Sequence, residues 1–304
     1  MKKITLCTAL ALLVGFGVLS ARALEVKPHV IGYVQAMRGD VYALNDVTKV
    51  KQYVDRKEAR LLEKQDPVYE HDTILTGVDA KCQIVFEDGM YLVIGPESAV
   101  NLAEYHWDFD NNNANALNLR LGPGIFRFLT GRIVEKNPNA TTVDTPISFI
   151  GIRGTEVLSV EMVEHNPVGG IVQALKNLGP ASAWRDSSIP FKNAVNDFVR
   201  SLDMQQLMTG LTHSELHAHL TGKQMTPLIV HHRASGIVTQ VPRGFELFST
   251  GVGGPNQPQP ISLQTREWSF IVGMDNNAPL PPQYQGTLGT PYGDSSQQHN
   301  SHDS

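Results

Sequence analysis

The 304-residue sequence predicts a mainly β protein, a solenoid-like or sandwich-like stack of short strands with an inserted α-helical segment. Three observations carry that expectation. From Ile31 to Met162, short runs rich in β-branched and aromatic residues are broken about every 8–12 residues by Gly, Pro, Asn and Asp turns. From Asn166 the spacing turns helical, and strand-like runs return at Leu228. Hydrophobic residues make up 41% and charged residues 18%, enough for a core and too little charge for global disorder.

The N-terminus reads as an address. Lys2 and Lys3 precede an uncharged run from Ile4 to Ser20, and Ala21-Arg22-Ala23 supplies a small-x-small pattern. Residues 1–23 are therefore expected to be a signal peptide cleaved after Ala23, placing the product in the periplasm or outside the cell. The competing reading, a membrane anchor, is diluted by Gly15 and Gly17. Formal net charge is −5, and the leader removes only basic residues, so the remainder is more acidic still. A chain of that sign has no footprint for gripping phosphates, which excludes nucleic acid as the expected partner. Of two cysteines, Cys7 lies in the leader and Cys82 on the apolar side of an alternating run, so neither a disulfide scaffold nor a Cys-ligated zinc site is expected.

Candidate strands in the 24–165 domain are Ile31–Ala36, Val41–Leu44, Asp72–Leu75, Cys82–Phe86, Tyr91–Ile94, Ala99–Tyr105, Ala116–Leu121, Ile125–Leu129, Thr141–Val143, Ser148–Ile152 and Glu156–Met162. Lys49–Lys64 is highly charged and reads as a solvated connection with some helix. Residues 166–226 form the helical insertion. Asn166-Pro167 starts its first helix and Gly179-Pro180 stops it. A second helix is expected over Pro190–Met208, with Phe191, Val195, Phe198, Val199, Leu202 and Leu207 in one apolar stripe that could dimerise. Thr212 and Glu215 have capping-box spacing for a third helix ending near Gly222. Returning strands over 227–252 are Leu228–His232, Gly236–Val241 and Phe245–Thr250. In the Pro/Gln/Asn-rich tail, 253–304, only Ile261–Met274 is apolar enough to dock, as a strand, and the end is expected to be disordered.

Three ordered stretches carry a resemblance. The first is Asp72-Thr73-Ile74-Leu75-Thr76-Gly77 leading to Phe86-Glu87-Asp88-Gly89 and Gly95-Pro96-Glu97-Ser98. The second is Gly124-Ile125-Phe126-Arg127-Phe128-Leu129-Thr130-Gly131-Arg132-Ile133. The third is Val143-Asp144-Thr145-Pro146, running into Ile152-Arg153-Gly154-Thr155-Glu156. Together they resemble the FecR-domain family, periplasmic β modules of ferric-citrate-type envelope regulators. The resemblance implies a non-enzymatic exported module that binds a protein or envelope component, without the anti-sigma half of those regulators. It also offers Arg153, Gly154 and Thr155 as signature residues, read either as a folding corner or as a contact. A secreted structural or adhesive protein is the alternative from the same features.

No catalytic constellation stands out. No Gly-x-Ser-x-Gly elbow, phosphate loop or dinucleotide fingerprint occurs, so no enzyme activity and no cofactor are expected. His213, Glu215, His217 and His219 form a dense cluster, and His213 and His217 on a helix would share one face at zinc-ligand spacing. A zinc enzyme built on them is the lesser alternative. The adenosine-deaminase-like look of Glu215–Gly222 would need a (β/α)₈ barrel for which too little chain follows. A solvated or packed face with no metal is the expectation. Asp108, Asp110 and Asn111–Asn113 lack the glycine and closing acid of a calcium loop and read as a hairpin tip.

Overall fold

The computed structural model describes residues 29–45 and 58–285, except 112–113, 138, 140, 153, 180–182, 184–188, 210–211, 223–225, 276 and 281. The proposed leader and residues 286–304 lie outside the described residues. Two sheets face each other. The first contains β1 (Val30–Arg38), β4 (Pro67–Tyr69), β6 (Lys81–Phe86), β7 (Tyr91–Ile94), β10 (Gly124–Leu129), β13 (Thr155–Val163), β14 (Thr212–Gly222), β17 (Phe245–Thr250), β18 (Gly254–Pro255) and β19 (Gln259–Pro260). The second contains β2 (Val41–Asn45), β3 (Glu58–Leu61), β5 (Asp72–Thr76), β8 (Ala99–His106), β9 (Ala116–Leu121), β11 (Thr141–Asp144), β12 (Ser148–Gly151), β15 (Leu228–His232) and β16 (Val238–Val241).

Strand order explains the architecture. The first sheet runs β18-β17-β14-β13-β10-β7-β6-β1-β4, with β19 also on β17, and the second β16-β15-β12-β11-β9-β8-β5-β2-β3. The chain deals strands to the two sheets by turns, one to three at a time, so both grow in the same direction along the sequence. The expected stack is thus a sandwich-like pair of sheets. Pairing is antiparallel except between β9 and β11. Ile84, Phe86, Leu92, Phe126 and Phe128 of one sheet and Ile74, Leu102, Leu119, Val143 and Ile150 of the other fill the space between. Such apolar burial stabilises by roughly 25 cal/mol per Å².

The motif turns explain how the strands are joined. At Gly124 φ is +132°, and a Cβ there would lie 2.1 Å from Ser98 Oγ, so only glycine lets the chain enter β10 beside that serine. Gly154 has φ +66°, the left-handed turn that starts β13.

Helices cover both outer faces. Asn166 Oδ1 accepts from the Val168 N–H at 3.0 Å, opening α2 (Val168–Leu178), with α1 (Arg132–Lys136) before it. The expected second helix is two, α3 (Ile189–Ser201) and α4 (Met204–Thr209), because Asp203 restarts the turn by accepting from the Gln206 N–H at 2.8 Å. Val195, Val199 and Leu207 are buried with Val168, Val172 and Leu175 against Tyr42, Leu44, Leu75 and Ala99 of the second sheet. The apolar stripe thus packs within the chain.

Three expectations are corrected. Thr212–Gly222 is a strand: it pairs along its length with β13, and the ladder's non-local hydrogen bonds override a locally helical pattern. Ile261–Met274 docks as a helix, α5 (Leu263–Ile271), because Ser262 Oγ caps it by accepting from the Thr265 N–H at 3.2 Å. Trp268 and Val272, four apart, then meet Leu216 and Val160 on the outer face of the first sheet. Within the charged connection, Glu58–Leu61 is strand β3, held by Tyr42–Asn45, and 46–57 lie outside the described residues.

Candidate functional site

The densest buried chemistry lies where β13 and β14 run side by side. Their register sets Ser159 opposite His217 and Glu161 opposite Glu215. With a side-chain period of two, Ser159 and Glu161 share one face of β13, and Glu215, His217 and His219 share one face of β14. That face looks into the sandwich. Opposite it, the Thr145-Pro146 turn between β11 and β12 brings Thr145 and Ser148 to Glu215.

The contacts form one connected set. Thr145 Oγ1 donates to Glu215 Oε2 at 2.6 Å, and Ser148 Oγ donates to Glu215 Oε1. His217 Nε2 lies 3.0 Å from Glu215 Oε1. His217 Nδ1 lies 2.8 Å from Ser159 Oγ, which donates to Glu161 Oε1 at 3.0 Å. Glu215, His217 and Ser159 are 0% exposed and Glu161 3%. Burial, reinforced by the Glu215 charge, pushes the Glu161 carboxyl well above the usual carboxylate range. Burial also acts to raise Glu215, but the facing His217 and its hydroxyl hydrogen bonds hold it below that range. Two like groups in one pocket are driven apart in acidity.

Ser159, His217 and Glu215 have the connectivity of a nucleophilic triad. All three side chains are sealed from solvent, however, and a nucleophile must reach its acyl carbon. The arrangement is better suited to holding something in place than to turning over a substrate.

The residues singled out in the sequence fall as follows. His213 is exposed and does not join His217, since four residues along a strand span about 13 Å. Glu215 and His217 do meet, with Glu161 as the third member, a residue the sequence reading passed over. Alternation sets it with Ser159 on the polar side of a predicted strand, opposite Leu158, Val160 and Met162, so no local signal marked it; the helix over 263–271 covers that apolar side and the polar one turns inward. Gly154 forms a corner, and Thr155 is buried with no partner for its hydroxyl among the described residues. Arg153 lies outside the described residues; beside that corner, Arg127 Nε donates to Glu156 Oε1 at 2.7 Å. Asp108 Oδ1 accepts from the N–H groups of Asp110 and Asn111, an Asx turn at a hairpin tip. Cys82 is a buried free thiol, pushed up by burial to about 12.

Other motif residues are spent on the fold. Asp88, 0% exposed, accepts from the N–H groups of Met90 and Ile133 and from the Tyr105 hydroxyl at 3.1–3.2 Å. Thr76 Oγ1 donates to the Gly95 carbonyl at 2.6 Å and accepts from the Ser98 N–H at 2.9 Å. Asp72 is ion-paired to Arg60 and accepts from the Tyr69 N–H at 2.9 Å. On the outer face of the second sheet, an open groove is lined by Asn118, Thr142, Phe149, Gly151, Ile229 and His231.

The fold and its internal polar clamps define a two-sheet β module. Residues 72–172 match the model of the family described as FecR protein, so this stretch, β5 through the start of α2, is a FecR-like domain. Among solved structures, a "Cell surface anchoring domain" is 29% identical over 24% of this chain and 84% of its own, with a TM-score of 0.21. A "putative anti-sigma factor from Parabacteroides distasonis ATCC 8503" is 9% identical over 65% of this chain and 63% of its own, with a TM-score of 0.37. At those TM-scores both likenesses are partial and carry no functional inference. No curated protein matches. Among the described residues, no helix is long and apolar enough to cross a membrane.

Proposed function

We propose that the chain is an exported, non-enzymatic envelope module whose FecR-like part binds another protein or an envelope polymer. The observation that carries this reading is the match at 72–172, which falls on strands in the middle of both sheets. Two features support it. The signature polar groups Asp72, Thr76, Asp88 and Ser98 face the interior, which leaves recognition to the outer surface. On that surface Phe149 is 40% exposed in the open groove, with Arg233 stacked 3.5 Å over its ring. An aromatic held flat by a guanidinium is a rigid contact of the kind that anchors interfaces. Arg153, the signature residue that precedes Gly154 in the sequence, is the second candidate contact.

The test is crosslinking in cells from a photoreactive residue at position 149 or 153, with position 270 on the opposite face as control. A product seen from 149 or 153 and absent from 270, recovered in envelope fractions, is expected. Equal labelling from all three positions would remove the groove as the binding surface. Recovery of the protein on intact cells or in the medium would favour the structural or adhesive alternative.

A further inference from the structure

The Glu161–Glu215–His217 cluster contains two buried polar atoms with no hydrogen-bond partner among the described residues, Glu161 Oε2 and His217 Nε2. One oxygen of each carboxylate and a ring nitrogen of the histidine all lie within 4.8 Å of one another. The surrounding bonds are those of a ligand shell. With Nδ1–H donating to Ser159 Oγ, and that hydroxyl donating to Glu161 Oε1, the neutral ring presents its Nε2 lone pair to the two carboxylates. Nε2 faces that carboxylate oxygen of Glu215 at 3.0 Å without a well-aligned hydrogen bond among the described residues, an opening that a cation touching both atoms would fill. Meanwhile Thr145 and Ser148 orient Glu215 from behind, as outer partners do for metal-binding carboxylates.

We propose that Glu161, Glu215 and His217 form a structural site for a divalent cation of the zinc class, clamping β13 to β14. One imidazole and two carboxylates in a closed pocket suit a borderline ion of low coordination number. Calcium and magnesium instead demand six or more oxygens or several waters. The doubly charged ion balances two buried carboxylates, with a second carboxylate oxygen or a water as its fourth ligand. The location gives the clamp a purpose: the chain leaves the sheet after β13, makes the α2–α4 excursion, and returns as β14. Tying the two strands together closes that long loop.

The experiment uses the full chain without a histidine tag, unfolded, refolded with zinc, and dialysed against a weak chelator. About one equivalent of zinc is expected to be retained. The melting temperature should rise by roughly 5 °C or more over the metal-free protein. Glu161→Gln keeps the shape and hydrogen-bonding reach of a neutral acid, so it should fold, lose that zinc and show no shift. Exposed His213 and His231 survive in this variant and report adventitious surface binding. If wild type and Glu161→Gln retain equal zinc, or if zinc does not move the wild-type melting temperature, the proposal is overturned. Should Glu161→Gln fail to fold, cobalt(II) bound to wild type decides. Intense visible bands of a four-coordinate ion, displaced by zinc, support the site; the weak spectrum of the hydrated ion overturns it.

Discussion

Glu161 and Glu215 face each other across the β13–β14 ladder, both buried, with only Glu215 surrounded by donors. Like charges directly opposite on a sheet are destabilising, so the pair persists because the two carboxyls are kept in different states. The asymmetry predicts unequal substitutions. Metal-free Glu215→Ala leaves Thr145, Ser148 and His217 facing a void and should cost about 3–5 kcal/mol. Metal-free Glu161→Gln should stay within about 1 kcal/mol of wild type. Urea midpoints of the two variants, at unchanged slope, check this; equal losses would refute the assigned asymmetry.

Asp88 predicts a pH dependence. Burial raises its carboxyl, against hydrogen bonds from Ile133, Met90 and Tyr105 that act to lower it. A folded-state value above the unfolded one means the contribution is greatest below about pH 3.9 and is lost as pH rises through the raised value. The melting-temperature advantage of wild type over Asp88→Asn should therefore be larger at pH 4 than at pH 7.5. An advantage that grows toward neutral pH would show that the ionised form is the one the three donors stabilise.

Cys82 should be inert in the folded protein. With its thiol pushed up by burial to about 12, the thiolate fraction at pH 8 is on the order of one in ten thousand. Peptide mapping after alkylation should find position 82 unmodified in the native protein and fully modified in denaturant. Native labelling at a comparable rate would contradict its packing.

The α3 stripe should behave as core. Val199 is 1% exposed against the second sheet, so Val199→Asp should cost about 3 kcal/mol or more through an unpaired buried charge. Exposed Asp197 on the same helix should tolerate Asp197→Ala within about 0.5 kcal/mol. Chemical denaturation of both variants separates this from a stripe that faces solvent or a second copy, where the two costs would be alike.

Apart from β3 and β4, the strands from Val30 to Val163 were legible because alternating burial and turn residues are local signals, and Asp88-Gly89 or Gly95-Pro96 punctuate them whatever else the chain does. The α2 start at Asn166-Pro167 was legible for the same reason. Segment 212–222 was not: Thr212 and Glu215 have capping-box spacing, and His213 and His217 have helical spacing, yet both patterns also fit a strand. Its outcome depends on β13, whose free edge supplies hydrogen bonds along the whole segment.

By itself, then, the order of residues determined a β-rich chain with a helical excursion, because periodicity and turn chemistry act over a few neighbours. Only the tertiary structure decided that Glu161 would meet Glu215 and His217, or that the α3 stripe would cover Tyr42 and Leu75. The first meeting depends on the register between strands separated by the α2–α4 excursion, where a one-residue slip would turn a whole strand's side chains to the other face, and the second on where that excursion folds back over the sheet.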